Sequence, residues 1–486
     1  MKLLRELLPI DSDLMIYSIH ADSRDVMPNS IFFCIDGLTV DGHEFVSEAI
    51  MHGAKVIVHS KPLEKQEGII YYQDDHVIEL MAHVANHFYD FPSKKLKITG
   101  ITGTVGKTTV ATLVYEASKK LLKMGYIGTH LVEYNDYRKI YHYTTPEYIF
   151  LQDTLANMVE EGTEGCVLEV SSHGLSLKRV EGIEFDIAVF TNLMPDHLDF
   201  HSTMENYENA KLSLFTSLSP EATAIIDINE PFSTRIKEAT KAKIMTYGID
   251  TPCDVCAKNL HLYYDHSSFD ILYHDNAYHM DLPLIGSVNI NHTLAAIAVL
   301  IKYDIPIEKI IEIFQQTQQI EGHYEVISNK HQLNIIVDEG YTPSHYLQLF
   351  EFIHSMKSHG RIIAVFGCVG KKELSKREKI GQLANKYCDY VILTEEDPRG
   401  EDVDTICKMI QKKITDIPSV IIDNRELAIY QAIEAANPGD TVLLIGKGKN
   451  KYMIRDVEEY YVGDKQVVLN ALNEVYTDYD DEDYEE

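Results

Sequence analysis

Positive charge is scarce in this chain. Lysine and arginine supply 44 side chains against 75 from aspartate and glutamate, a formal net charge of −31 over 486 residues. A surface this acidic repels polynucleotide phosphate, which argues against non-specific nucleic-acid binding. An anionic nucleotide would have to be met by locally concentrated positive groups. Long apolar runs are missing as well: none approaches the about 20 residues that cross a bilayer, so no membrane insertion is expected. Cysteine is sparse, with seven residues at Cys34, Cys166, Cys253, Cys256, Cys368, Cys388 and Cys407. The odd number and low density suit free thiols in a reducing cytosol. Cys253 and Cys256 form a lone C-x-x-C, either a coincidental pair of small residues or a weak metal or redox motif. The opening MKLLRELLPI is too short for a signal-peptide core and soon meets Asp11 and Asp13, so a cytoplasmic location is expected.

Apolar material is plentiful. Hydrophobic residues make up 45% of the chain and charged residues 24%, enough for several cores without a disulfide or metal staple. Residues 1–95 mix β-rich runs (IFFCI, AKVIVH, GIIYYQ) with helical stretches such as VIELMAHVANHFYDF, and FPSKK reads as a linker. Residues 96–321 open on LKITGITG and alternate strand-like runs (GCVLEV, FDIAVFTNL, TAIIDI, AKIMTY) with helical spacing. Residues 322–475 repeat that alternation through NIIVDEG, RIIAVFG, YVILTEE, SVIID and TVLLIG. Alternating strands and helices predict an α/β protein whose mostly parallel sheets are covered on both faces. The acidic end, 476–486, reads as a disordered solubilising tail.

The strongest motif is TGTVGKTT, residues 102–109. It follows a strand and opens a helix, the setting a phosphate loop requires. Gly103 and Gly106 let backbone N–H groups reach phosphate oxygens, and the helix N-terminus adds free donors. Thr104 and Thr109 lie in the same loop. Lys107 would meet the β/γ-phosphates, and the Thr108 or Thr109 hydroxyl would help hold Mg²⁺. The motif predicts ATP or GTP without naming a reaction.

Further stretches follow in order: DSRDVMPNSIFFCIDGLTVDGHEF at 22–45, TTPE at 144–147, LEVSSHGL at 168–175 and TNLMPDHLDFHSTMENYENAKLSLF at 191–215. FGCVGKKELSKR, TEEDPRGED and IGKGKNKY come later, at 366–377, 394–402 and 445–452. Together they resemble the Mur ligases of bacterial cell-wall synthesis, over nearly the whole chain. The resemblance implies an N-terminal UDP-binding domain, a central P-loop domain and a C-terminal Rossmann-like domain, with hinges near 92–96 and 320–324. It implies an ATP-dependent ligase that joins an amino acid to UDP-N-acetylmuramoyl-L-alanyl-D-glutamate through an acyl phosphate. A cytoplasmic monomer acting on small-molecule substrates is the corresponding expectation.

The same resemblance carries residue roles. Glu169 and His197 match Mg²⁺ ligands, and Lys211 matches a lysine carbamylated to give an oxygen ligand. Ser23, Thr39, Thr144, Thr145, Ser171 and Arg179 match contacts to the UDP-peptide. Asn289 matches an adenine contact, and Asp338 an aspartate near the ATP ribose. Lys372, Asp397, Pro398, Arg399, Gly446 and Asn450 match the amino-acid pocket, with Arg399 suited to clamp a carboxylate. Plainer readings stand beside these: a capping His197, a surface Lys211, a turn at Thr144–Thr145 and a cap at Ser23.

The chain also departs from the family pattern. Val105 replaces an asparagine in the phosphate loop, His292 an asparagine and His323 an arginine. Asp338-Glu339-Gly340-Tyr341-Thr342-Pro343 lacks the family's histidine. Lys372 replaces an arginine, Asp397 an asparagine and Asn450 a glutamate that would pair with a distal ammonium. Two readings within the family follow: an active ligase with a different amino acid or acceptor, or a weakly active or non-catalytic precursor-binding paralogue. A folylpolyglutamate-synthetase-like ligase is a rival outside the cell wall, disfavoured by the N-terminal DSR…DGHEF segment.

Overall fold

The computed structural model describes all residues except 38, 39, 130, 142, 357–359, 373 and 481–486, with side chains of 477–480 also left aside. The chain packs into two compact units. One comprises 1–193, 203–246 and 298–302; the other comprises 194–202, 247–297 and 303–486.

The first unit holds two main sheets besides the short pair Lys2–Leu3 and Met15–Ile16. Its N-terminal sheet is four parallel strands in chain order: Ser18–His20, Ser30–Phe33, Ala54–His59 and Ile70–Gln73. Alternation sends Ile31, Phe33, Val56 and Val58 to a core shared with Leu4, Leu7 and Met81. Phe32, Cys34, Ala54 and Ile57 face the opposite core, so both sides are covered and the run reads as continuously apolar.

The second sheet carries the phosphate loop. It belongs to an eleven-stranded sheet, whose first seven strands run in the order Tyr137–Lys139, Leu131–Tyr134, Met124–Gly128, Gly165–Glu169, Lys97–Thr102, Ile187–Phe190 and Thr223–Asp227. From Met124–Gly128 to Thr223–Asp227 all pairings are parallel, so their carboxyl ends share one edge. Open α/β sheets bind ligands at that edge.

The other unit has a six-stranded sheet ordered Glu325–Val326, Asn334–Asp338, Thr441–Ile445, Ile362–Phe366, Tyr390–Leu393 and Ser419–Ile421. Only the first pairing is antiparallel. Successive residues again take opposite faces: Leu443 and Ile445 pack with Tyr346, Ile380 and Ile410, whereas Val442 and Leu444 pack with Ala428, Ile429 and Val468. The same unit holds antiparallel strands Val255–Leu262, Ser267–Tyr273 and Asn276–Leu282, absent from the parallel reading. Their short connections allow no crossover, so neighbours must run antiparallel.

The acidic end departs from expectation. Residues 476–480 belong to the helix Asp464–Asp480 rather than to a disordered tail. Val467, Val468, Ala471 and Leu472 recur at helical spacing and are buried, which docks the helix. Residues 481–486 of the expected tail lie outside the described residues. None of the seven cysteines is in a disulfide, and Cys256 is buried with its thiol on the Thr251 carbonyl, 3.2 Å away.

Candidate active site

The phosphate loop joins the strand Lys97–Thr102 to the helix Lys107–Ser118. Gly106 closes it at φ +85°, left-handed backbone that favours glycine. The loop is braced from its neighbours. The Asn192 side-chain oxygen accepts from the Val105 N–H at 3.0 Å, and Thr191 Oγ1 donates to the Val105 carbonyl at 2.7 Å. Thr104 Oγ1 and the Tyr207 hydroxyl are 3.0 Å apart. The polar side chain missing at Val105 is thus met by Asn192 acting on that residue's backbone. Lys107 Nζ folds over its own loop, donating to the Gly103 and Thr104 carbonyls at 3.0 and 2.9 Å.

Glu169 ends the strand beside the loop strand and is fully buried. Its Oε1 accepts from the Tyr126 hydroxyl at 2.6 Å and the Thr129 N–H at 3.0 Å. Its Oε2 accepts from the Thr108 and Thr129 hydroxyls at 2.9 and 3.0 Å. Four donors make this buried carboxylate tolerable. Lys211 is no surface lysine: at 1% exposure it sends Nζ to the Gly103 carbonyl, 2.7 Å away, and lies 4.6 Å from the centre of the Tyr207 ring. Lys107, Thr108, Glu169 and Lys211 therefore converge on one loop.

The residues expected on the precursor side form a second string in this unit. The Thr129 and Thr144 hydroxyl oxygens lie 3.2 Å apart. Thr145 donates to the Glu169 carbonyl at 2.9 Å, and the Ser171 N–H donates to Thr145 Oγ1 at the same distance. Ser171 also caps the short helix Ser172–Ser176, and Arg179 donates to the Thr145 carbonyl at 3.0 Å with its guanidinium over the Tyr143 ring. Beside the N-terminal sheet, in the helical turn Ser23–Asp25, Ser23 is buried and donates to Glu48 at 2.5 Å. Thr39 lies outside the described residues.

The remaining expected residues fall in the other unit. His197 opens a short helix at φ +53°, its N–H donating to Asp196 Oδ1 at 2.9 Å and its Nε2 3.4 Å from Oδ2. Lys376 Nζ reaches Asp196 at 3.2 Å. Burial pushes the Asp196 carboxyl up, but His197 and Lys376 outweigh it and hold it below the ordinary range.

Asn289 is buried and donates to the Ile285 carbonyl at 2.9 Å. One turn on, burial pushes His292 down to about 3, helped by His323 and His345 nearby. Asp338 is fully buried and already engaged. The Gly340 and Tyr324 N–H groups donate to it at 2.7 and 3.0 Å, and His345 Nε2 lies 2.6 Å away. His323 Nε2 stands 2.9 Å from Glu339, so the imidazole at the arginine position has a carboxylate partner. A histidine does face Asp338, supplied by the following helix.

The amino-acid segments meet at the carboxyl ends of Tyr390–Leu393 and Thr441–Ile445. Asp397, at φ +44°, accepts from Lys447 Nζ at 2.8 Å and the Ile454 N–H at 2.9 Å. Pro398 is buried, and Arg399 follows at φ +54° with its buried Nε lacking a partner among the described residues. Gly446 sits against the Glu396 carboxyl, which burial pushes up to about 8 against the pull of Arg425 and Lys447. Asn450 is half-buried and its N–H donates to the Lys447 carbonyl, while Lys372 is exposed. Tyr126, Thr129, Asn192 and Tyr207 were not singled out from sequence; Tyr126 and Thr129 had only a neighbouring glycine near a strand end as a signal, and Asn192 and Tyr207 had none of that kind.

Family comparison joins this geometry to a known class. Three Mur ligase family models match in order: the "Mur ligase family, catalytic domain" at 15–89, the "Mur ligase middle domain" at 101–300 and the "Mur ligase, glutamate ligase domain" at 323–448. The chain belongs to the Mur ligase family. Its fold is the three-domain Mur ligase fold, and members are ATP-dependent, ADP-forming ligases. A UDP-N-acetylmuramoyl-L-alanyl-D-glutamate–2,6-diaminopimelate ligase of Bacillus velezensis is 35% identical over 96% of this chain and 97% of its own. The ligase of that name from Halalkalibacterium halodurans is 33% identical over 95% of each. A solved structure of a ligase of that name superposes with TM-score 0.71 at 25% identity, covering 97% of this chain and 99% of its own.

Proposed function

We propose that this Mur ligase joins an amino acid to the D-glutamyl carboxylate of UDP-N-acetylmuramoyl-L-alanyl-D-glutamate. The observation that carries the reading is the convergence on one phosphate loop of Lys107, the Thr108 hydroxyl, the buried Glu169 carboxylate and Lys211. The names of the relatives support the precursor as substrate.

Glu169 and Thr108 present hard oxygens 2.9 Å apart beside the loop, a set that suits Mg²⁺ completed by phosphate oxygens and water. When bound, the ion would neutralise charge on the transferring phosphoryl group. Lys211 as a carbamate, and His197, are further ligands in this proposal. The loop N–H groups and Lys107 hold the phosphates. A carboxylate oxygen of the precursor attacks the γ-phosphorus as ADP departs. The amine then attacks the acyl carbon, and phosphate leaves. Ser23, Thr144, Thr145, Ser171 and Arg179 serve the precursor, Asn289 the purine, and Arg399, with its unpartnered Nε, the carboxylate of the incoming amino acid. Asn450 offers no charge to a distal ammonium. Domain limits at 95/96 and 321/322, a cytoplasmic location and a monomeric state complete the proposal; no described helix is long and apolar enough to cross a membrane.

ADP release is the test, with the UDP-dipeptide, ATP and each standard amino acid, diaminopimelate or ornithine in turn. Turnover with one amine is the expected result. Tight precursor binding without turnover by any amine favours a binding protein, a reading to which the engaged Asp338 and the His292–His323–His345 group lend weight. Turnover only with a pteroyl acceptor overturns the cell-wall assignment.

A further inference from the structure

The strand Met124–Gly128 lies parallel to Gly165–Glu169, with Tyr126 opposite Val167 and Ile127 opposite Leu168. Continued by one residue, that register sets position 128 beside Glu169. Side chains alternate along a strand, so Tyr126, Val167 and Glu169 share one face. An ordinary residue at 128 would stand between Tyr126 and Glu169. Gly128 leaves the space open: a Cβ there would overlap both the Tyr126 hydroxyl and Glu169 Oε1. The tyrosine therefore reaches along the sheet and donates to Oε1 at 2.6 Å, at only 4% exposure itself.

The two oxygens of Glu169 are held differently. Oε1 takes a phenol hydroxyl, whose oxygen is held in place by a buried ring, and a backbone N–H fixed by the chain. Oε2 takes two threonine hydroxyls with alternatives close by: Thr129 Oγ1 is 3.2 Å from Thr144 Oγ1, and Thr108 Oγ1 is 3.4 Å from Thr129 Oγ1. Threonine hydroxyls rotate freely. Oε2 can thus be released to a cation while Oε1 stays pinned.

We propose that Tyr126 is a positioning residue for Glu169, pinning Oε1 across the gap left by Gly128 so that Oε2 is the oxygen offered to a nucleotide-bound divalent cation. The assignment rests on reading Glu169 as a metal ligand. Outer partners of this kind change metal affinity by about 10–100-fold when removed.

The test uses Mn²⁺ as probe and ADP as nucleotide, so no turnover is involved. Protein-bound Mn²⁺ is titrated by electron paramagnetic resonance on the full chain and on Tyr126→Phe, which lacks only the hydroxyl. The expected result is a loss of Mn²⁺ affinity of about tenfold or more, with metal-free ADP affinity unchanged. An affinity within about twofold of the parent overturns the assignment of Tyr126 and leaves the Glu169 reading standing. Failure of the parent chain to bind Mn²⁺ with ADP overturns the Glu169 reading itself. Should Tyr126→Phe not fold, Tyr126→Leu carries the same expectation; failure of both makes Tyr126 a structural residue and overturns the proposal.

Discussion

Glu396 shows how one buried side chain sets a pH dependence. Its carboxyl rises from the usual 4.5 to about 8, because burial under Gly446 outweighs Arg425 and Lys447. Between those values the folded chain keeps a proton that the unfolded chain has lost. Stability from this group is therefore full at low pH and drains as pH climbs toward 8. Glu396→Gln, neutral throughout, should flatten that decline; melting temperatures at about pH 5 and about pH 9 check it, with the variant gaining on the parent only at the upper value. Sequence pattern placed Glu396 next to the amino-acid motif but gave no sign of its proton, since burial by Gly446 comes from a strand some fifty residues on. Asp338 makes the same point. Its position was legible from a strand end; its saturation by two N–H groups and an imidazole was not, because His345 arrives from the next helix.

At the scale of elements, the helix Met204–Thr216 carries both Tyr207 and Lys211 to the phosphate loop. Thr203 caps it, its hydroxyl accepting the Asn206 N–H at 3.1 Å. Thr203→Ala should lower stability by about 1 kcal/mol in urea unfolding, with the slope unchanged. Strands were the most legible elements, since runs such as GCVLEV and TVLLIG are apolar on both faces. Hairpins between 255 and 282 were not, because half their residues face away from a core and the runs look polar. The phosphate loop was read whole, glycines and lysine together, because its chemistry is local. Tyr126 was invisible, because its role depends on which strand lies beside Met124–Gly128.

Across the whole molecule, a net charge of −31 surrounds a site for which two anionic substrates are proposed, a nucleotide and a nucleotide-linked peptide. The field of the molecule opposes their approach, and local cations such as Lys107 and Arg179 act over shorter range. Screening falls to about 8 Å at physiological salt. Moving from low salt to that level should therefore raise the association rate of both nucleotides by a few-fold, at the order of steering effects, whereas a positively steered site slows. Stopped-flow binding across a salt series checks it, and a slower rate with rising salt contradicts it. Composition alone supplied this expectation.

The Gly103 carbonyl carries a lysine from each side, Lys107 at 3.0 Å and Lys211 at 2.7 Å. If the proposed phosphate contact draws Lys107 outward, that oxygen keeps a donor in Lys211, whose nitrogen retains one N–H even as a carbamate. A buried acceptor stripped of its last partner would tax binding by about 1–3 kcal/mol. The doubled grip means that the Gly103 carbonyl keeps a partner when one lysine leaves.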